Sequence, residues 1–255
     1  MKNAIIYAVI FAAMQVVVST IAQLVWTLLL HHKGVMDTDY MIVTLATFNV
    51  LVIAVFLIAK WTQVSRNWLL TRPWGVLCWA AVAAIGCIVP SLWIQEMMPE
   101  LPNLMNENVE GMLGSRAGYA VVGLLAPLAE EVVFRGAILR SLLRWTQNHW
   151  LAIAVSALIF AAVHINPAQM PHAFATGLLL GWMYYRTGSI LPGVVYHWVN
   201  NSVAYAVYNL SMAAYGRGDM TLAELLGQQR VLMAVAFSLL ILVPAIYQLN
   251  LRMKK

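Results

Sequence analysis

The sequence has little charge. Charged residues make up 10% of the chain, whereas a typical soluble domain carries about 25%. Hydrophobic residues make up 62%, and the mean hydropathy is +0.77. Apolar runs of about 20 residues, long enough to cross a hydrocarbon core, recur along the chain. The composition excludes an ordinary soluble domain and predicts a polytopic membrane protein.

The chain also has few cysteines, and its basic residues are not clustered. The two cysteines, Cys78 and Cys87, fall in one apolar segment, which excludes a disulfide scaffold or a CxxC metal site. The net charge is +5, but the basic residues lie between apolar segments. They form no basic stripe with interleaved aromatic residues, so no nucleic-acid partner is expected.

Several catalytic signatures are missing. The chain has neither the HExxH helix of zinc proteases nor a GxSxG nucleophile turn. The sequence GRGD at 216–219 resembles the GxGD motif of intramembrane aspartyl proteases, but Asp219 lies in a polar loop. The other aspartates, Asp37 and Asp39, are also in a loop. A pair of intramembrane aspartates is therefore excluded.

Eight hydrophobic segments are predicted to span the membrane as helices, and residues 1–255 are predicted to form one membrane domain. The segments are 4–30, 40–59, 74–94, 117–139, 151–170, 172–186, 190–210 and 231–250. The first segment is too long for the apolar core of a signal peptide, so it is expected to be an uncleaved helix.

The charges between these segments alternate from loop to loop. Every second loop and both termini are basic. They carry Lys2, Lys60, Arg66, Arg72, Arg140, Arg144, Arg186, Arg252, Lys254 and Lys255. The loop 95–116 is acidic instead, and a plain loop is favoured there over an interfacial helix or a lid. Because basic loops remain in the cytoplasm, both termini are predicted to be cytoplasmic. The expected location is a prokaryotic inner (plasma) membrane.

Polar residues inside these segments are candidates for a structural or functional role. Inserting an ionisable side chain at the centre of a membrane helix costs about 2.5–3.5 kcal/mol of free energy. The candidates are Glu130, Glu131, Arg135, His164, His197, Asn200 and Asn201. Structural hydrogen bonding between helices explains one such residue more readily than all of them. The remaining histidines, His31, His32, His149 and His172, are predicted to have no role at a site.

Helical spacing sorts the acidic residues. Glu131 and Arg135 are four residues apart, so they share a face and can pair. Glu130 points about 100° away from Glu131. We therefore expect Arg135 to neutralise and orient Glu131, which leaves Glu130 available as a general base acting on water.

The other polar residues follow the same spacing. His197 and Asn201 lie one turn apart on one helical face, and Asn200 points elsewhere, so Asn201 is favoured as the functional asparagine. Phe160 precedes His164 by one turn, and its ring is expected to pack against the imidazole. Three separate helices therefore supply polar groups that could converge in a bundle core.

Together these residues resemble the signature of the CPBP family, the CAAX-protease and bacteriocin-processing intramembrane proteases, also called the Abi family and related to type II CAAX prenyl endopeptidases. The EExxxR, FxxxH and HxxxN motifs of the family correspond to Glu130, Glu131 and Arg135, to Phe160 and His164, and to His197 and Asn201. Each motif alone is weak, but the ordered set is specific. The likeness covers about 115–210, which marks the expected catalytic core.

The resemblance implies an all-α membrane bundle of about eight transmembrane helices that cleaves peptides in or at the membrane. It implies that Glu130 and His164 activate the attacking water and that His197 and Asn201 stabilise the oxyanion. The implied supporting residues are Glu131, Arg135 and Phe160.

The family's use of a metal is disputed. Glu130, His164 and His197 could supply three ligands to a catalytic zinc ion, with water as the fourth. A metal-independent mechanism based on the glutamate is the alternative, and it is slightly favoured here.

Two functions compete with an intramembrane protease. One is a non-catalytic protein of the same fold that binds a membrane partner or confers self-immunity to a bacteriocin. The other is a transporter, which would be expected to show inverted repeats. The expected partners are the lipid bilayer and a membrane-associated peptide or protein substrate, for which a prenylated CaaX-type tail is one candidate.

Depth along the helices suggests the side of the site. Glu130 lies about 20 Å from the outer end of its segment, and His197 lies about 10 Å from the cytoplasmic end of its own. These distances favour a site that faces the cytoplasm. His164 does not fit, because it lies about 20 Å from the cytoplasmic end of its segment.

Overall fold

The computed structural model of the protein describes residues 1–29, 37–63, 66–104, 107–218 and 220–253. Within these ranges every regular element is a helix, which confirms the all-α prediction. His31, His32, Asp219, Lys254 and Lys255 lie outside them, so the predictions for these residues stay predictions.

Eleven helices are described. They are α1 (Lys2–Leu24, continued by a π-helical turn Val25–Leu29), α2 (Thr38–Ile58), α3 (Arg66–Leu70), α4 (Trp74–Met97), α5 (Glu107–Leu113), α6 (Arg116–Trp145), α7 (His149–Ala162), α8 (Met170–Thr187), α9 (Leu191–Tyr215), α10 (Leu222–Leu226) and α11 (Val231–Arg252). Helix α5 lies where a plain loop was favoured, so that prediction is wrong.

Five of these helical stretches are long and apolar enough to cross a membrane, which supports an integral membrane protein. They are Lys2–Leu28, Thr38–Ile58, Trp74–Met97, Arg116–Trp145 and Gln228–Arg252. Helices α7, α8 and α9 occupy the other three predicted segments. The 14 residues of α7 rise about 21 Å, less than the hydrocarbon core of about 30 Å. The count of eight spans therefore stays a prediction.

The boundary between α7 and α8 shows how the chain interrupts an apolar run. Segment 151–170 was predicted to continue to its end, but α7 stops at Ala162. Ile165 has φ +56°, a left-handed conformation that cannot continue a right-handed helix. Pro171 then lies in the first turn of α8, where the missing N–H has no intrahelical partner to lose. The result is a turn at 163–169 that places His164 at the end of its helix.

Helix α6 is the centre of the bundle, and two of its stretches are π-helical, Tyr119–Leu125 and Glu131–Leu139. Every residue of the second stretch is buried. Backbone carbonyls of both stretches accept hydrogen bonds from other parts of the chain. The donors are Asn201 to Val122, Trp198 to Leu124, Thr62 to Val132 and Ser156 to Phe134. These bonds fix the neighbouring segments against the part of α6 that carries the two glutamates.

The two ends of the bundle differ. At one end Arg186 donates to the side chain and carbonyl of Asn250 and to the carbonyl of Met253. At the other end the turn 163–169 contacts the segment after α4, where the backbone N–H of Leu104 donates to Asn166 Oδ1 at 3.1 Å. His164 therefore lies toward the end of the bundle opposite Arg186.

Candidate active site

A buried ion pair anchors the site. Arg135 Nη1 lies 2.8 Å from Glu131 Oε1, and their side chains are 1% and 0% exposed. The guanidinium also lies 4.4 Å from the centre of the Phe160 ring, and its Nη2 lies 3.4 Å from the carbonyl oxygen of Gly177. The predicted pairing of Glu131 with Arg135 is confirmed. Helices α6, α7 and α8 are joined at this one side chain.

His197 lies between the two glutamates. Its Nδ1 is 3.4 Å from Glu131 Oε1, and its Nε2 is 3.6 Å from Glu130 Oε2. The carboxylates differ in access, because the side chain of Glu131 is fully buried whereas that of Glu130 is 23% exposed. Glu130 is thus the more accessible carboxylate, and Glu131 is the one held inside the bundle.

The orientation of His164 follows from its backbone partner. Its Nδ1 lies 2.8 Å from the carbonyl oxygen of Phe160. A carbonyl only accepts, so Nδ1 carries the proton and Nε2 of the neutral ring keeps its lone pair. The Phe160 ring contacts both imidazoles edge to face, at 4.9 Å from His164 and 6.1 Å from His197. The expected packing of Phe160 on His164 is confirmed.

Asn201 is fixed by the backbone of α6. Its Nδ2 donates to the carbonyl of Val122 at 3.1 Å, and its Oδ1 accepts from Asn200 at 3.5 Å. Because a side-chain amide carries two N–H groups, one donor of Asn201 remains available for a further acceptor. The preference for Asn201 over Asn200 stays a prediction.

Gly193 was not anticipated as part of the site. A Cβ atom at this position would lie 2.5 Å from Glu131 Oε2. That oxygen is buried and has no hydrogen-bond partner among the described residues. Small residues are typical of close contacts between membrane helices, but the sequence has many glycines and does not show which of them faces Glu131.

His172 was predicted to have no role at the site, and this stays a prediction, although the residue lies near the cluster. It lies in the first turn of α8, and its Nδ1 is 2.5 Å from Ser91 Oγ of α4. It is close enough to His164 and His197 to interact with both electrostatically. The turn at 163–169 produces this approach, because it folds α8 back along α7.

The three candidate zinc ligands do not converge as a metal site requires. Among the described residues, no three His, Cys, Asp or Glu side chains are placed to hold one ion. In this geometry the residues do not fit a three-ligand zinc site.

The fold and the site define an all-helical integral membrane protein with a glutamate–histidine cluster between its helices. Residues 113–203, less than half of the chain, match the family of type II CAAX prenyl endopeptidase Rce1-like proteins. This match confirms the resemblance indicated by the three motifs, and it includes the whole cluster from Glu130 to Asn201. The matched family is a family of proteases.

A curated relative gives a weaker comparison. A stretch of 80 residues is 36% identical to a protein of Escherichia coli named "Uncharacterized 24.3 kDa protein". The alignment covers 29% of this chain and 36% of that relative. No solved structure matches the chain significantly.

Proposed function

We propose that the protein is an intramembrane endopeptidase that hydrolyses a peptide bond of a membrane-associated substrate. A prenylated CaaX-type tail is one candidate for that substrate. The observation that carries the proposal is the difference between the two adjacent glutamates. Glu131 is buried against Arg135, while Glu130 is partly exposed and faces His197. This arrangement, within a region that matches a protease family, suits a general base that acts on water.

In the proposed reaction, Glu130 accepts a proton from water as the water oxygen attacks the carbonyl carbon of the substrate. Nε2 of His164 orients that water through its lone pair. The carbonyl oxygen becomes an oxyanion, which the second N–H of Asn201 and Nε2–H of His197 stabilise. In this scheme His197 acts as the imidazolium, because only that form carries an N–H on both ring nitrogens, one for Glu131 and one for the oxyanion. Glu130 then gives its proton to the amine nitrogen as the C–N bond breaks.

Glu131, Arg135 and Phe160 act as positioning residues in this scheme. Glu131 accepts a hydrogen bond from Nδ1 of His197, so that Nε2 is directed to Glu130. Arg135 fixes Glu131 and rests on the ring of Phe160, which in turn contacts both histidines. The carboxylate, the guanidinium and the ring therefore set the orientation of the imidazoles.

We propose a metal-independent mechanism, since among the described residues no three His, Cys, Asp or Glu side chains are placed to hold one ion. A zinc ion held by them would supply Lewis-acid activation of the water. A strong chelator distinguishes the two, because it abolishes cleavage only if a metal is required.

The proposed topology has eight spans, both termini in the cytoplasm, and a prokaryotic inner membrane as its location. In a variant that lacks Cys78 and Cys87, single cysteines placed before α1 and after α11 test it with a membrane-impermeant thiol reagent. We expect labelling only after the membrane is opened. Labelling of either cysteine in intact cells would overturn the proposed orientation.

The test of function is cleavage of an anchored-peptide library by purified protein in liposomes. Glu130→Gln should lower kcat/KM by about 10²–10⁴-fold, the typical contribution of a general base. Glu110→Gln, an exposed glutamate of α5, is the matched control and should cleave normally. Full biological function of Glu130→Gln in cells would instead favour the partner-binding or self-immunity protein.

A further inference from the structure

Helix α1 carries a polar stripe on its exposed surface. Gln15, Ser19 and Gln23 are spaced four residues apart, so they lie on one face, and all three are exposed. Side-chain amides that face hydrocarbon have no water to bond. The rest of the helix is almost entirely apolar. We therefore expect the side chains of this stripe to bind a polar partner.

The stripe forms one wall of a groove between α1 and α2, with a volume of about 600 Å³. Ligand sites commonly enclose about 300–1,000 Å³. The wall on the α2 side is largely apolar and includes Met41, Leu45 and Phe48, and Met112 and Ile165 also line the groove. The groove therefore combines a polar wall with an apolar one, as expected for a peptide rather than a hydrocarbon chain.

The hydroxyl of Thr44 adds an independent observation. Thr44 lines the groove, and its buried oxygen has no hydrogen-bond partner among the described residues. An unsatisfied buried polar group costs about 1–3 kcal/mol. A ligand with its own donors and acceptors would satisfy this hydroxyl.

The groove comes next to the candidate active site at one residue. Ile165, which lines it, directly follows His164 and is 66% exposed in a left-handed conformation. Elsewhere a row of packed, buried rings lies between Phe48 and the site. The distances between ring centres are 5.2 Å for Phe48 and Phe11, 5.3 Å for Phe11 and Phe134, and 5.0 Å for Phe134 and Phe160. A chain lying in the groove thus passes beside Ile165, the residue that follows His164.

We propose that this groove binds the substrate's peptide backbone, in extended form, next to the scissile bond. The inference rests on the proposed function and adds the conformation of the substrate segment. A helical segment keeps its N–H and C=O groups bonded internally, whereas an extended one offers them to Gln15, Gln23 and Thr44. An acyl or prenyl chain would leave these groups unpaired.

Kinetics on peptides that the wild type cleaves provide the first test. The double variant Gln15→Leu/Gln23→Leu should raise KM about tenfold and change kcat little, because the lost bonds serve binding. Thr27→Leu is the matched control, since Thr27 is exposed on the π-helical turn that continues α1 and does not line the groove. An unchanged KM in the double variant would overturn the groove but leave the proposed protease intact.

Cross-linking provides a test without turnover. A photoreactive residue at position 41, in the Glu130→Gln background, should capture anchored peptides, and the Gln15→Leu/Gln23→Leu changes should abolish capture. The same residue at Ile241, which is exposed on α11, should capture few. Capture only of a photoreactive acyl-chain lipid, or equal capture at both positions, would contradict the proposal. Cleavage that persists in Glu130→Gln would overturn the proposed function. Capture at position 41 tests the groove independently of cleavage.

Discussion

The part of the chain that the structure describes contains two glutamate–arginine pairs in opposite surroundings. Glu131 and Arg135 lie inside the bundle, both almost completely buried. Glu224 and Arg217 lie between α9 and α11, and their side chains are 41% and 51% exposed. The same two chemical groups therefore meet once where no water reaches them and once where water surrounds them.

The comparison shows that the effect of breaking such a pair on the stability of the fold depends on burial rather than on pairing itself. In water the attraction is screened, and an exposed pair contributes about 0–1 kcal/mol. Inside the bundle each charge has lost its hydration, so either partner alone would be an uncompensated charge. The buried pair consequently ties α6 to the imidazole of His197, whereas the exposed one supports a single short helix.

The largest expected effect breaks the buried pair. Arg135→Met should lower the free energy of unfolding by about 3–5 kcal/mol, because Glu131 would be left buried and unpaired. Arg217→Met, the matched change at the exposed pair, should cost about 0–1 kcal/mol. Reversible unfolding in mixed micelles measures both. Equal losses would show that burial does not distinguish the pairs.

Removing both charges sharpens the comparison. Adding Glu131→Leu to Arg135→Met should recover about 1–4 kcal/mol of the loss, because no buried charge remains. Cleavage should not return, since His197 would lack the acceptor at its Nδ1. A double variant no more stable than Arg135→Met would contradict the electrostatic explanation.

Crowding of Glu131 gives a smaller effect. Gly193→Ala places a methyl group against Glu131 Oε2 and should cost about 1–3 kcal/mol of unfolding free energy, as overpacking does. The control is Gly114→Ala, where the nearest atom would be 3.5 Å away. Thermal unfolding of the two variants in detergent should separate them, and a wild-type midpoint for Gly193→Ala would refute the close contact.

A small, local effect belongs to the N-terminal cap of α10, the helix that carries Glu224 of the exposed pair. Glu224 and Thr221 form a capping box at the start of α10, so Thr221→Ala should cost about 1 kcal/mol locally. Hydrogen exchange at the amide of Leu225, which donates to the Thr221 carbonyl, measures the fraying. Unchanged exchange would show that the box does not stabilise the helix.

The same region predicts a pH dependence. Hydrogen bonds from the backbone N–H and the hydroxyl of Thr221, with help from Arg217, hold the pKa of Glu224 below its ordinary value of 4.5. The unfolded chain therefore takes up the proton first as the pH falls. The stabilisation is fully present above about pH 4.5 and is lost as the pH falls through the lower folded-state pKa. Glu224→Gln should remove this dependence, which nuclear magnetic resonance of α10 can follow.

Much of the site could be predicted from local spacing. Residues four apart on a helix share a face, which is enough to pair Glu131 with Arg135 and to place Phe160 under His164. The partners of His197 could not be predicted in this way, because they depend on how α9 crosses α6. The approach of Gly193 to Glu131 depends on the same crossing.

The segments that carry the site were harder to delimit than the outer ones. Helices α1, α2, α4 and α11 have the composition of lipid-facing spans, so hydropathy finds them directly. Helix α7 is shortened by the turn after Ala162, which depends on the left-handed conformation of Ile165. The approach of His172 to the site follows from that turn, and spacing along one helix carries no information about it.

The sequence by itself determined the membrane environment, the helical class, the three motifs and the pairing within one helix. Each depends on composition or on contacts between neighbouring turns. Only the tertiary structure decided that Glu130 is accessible and Glu131 is not, that His197 lies between them, and that the groove between α1 and α2 includes Ile165, the neighbour of His164. Accessibility and contacts between distant segments arise from packing, and packing depends on all the helices at once.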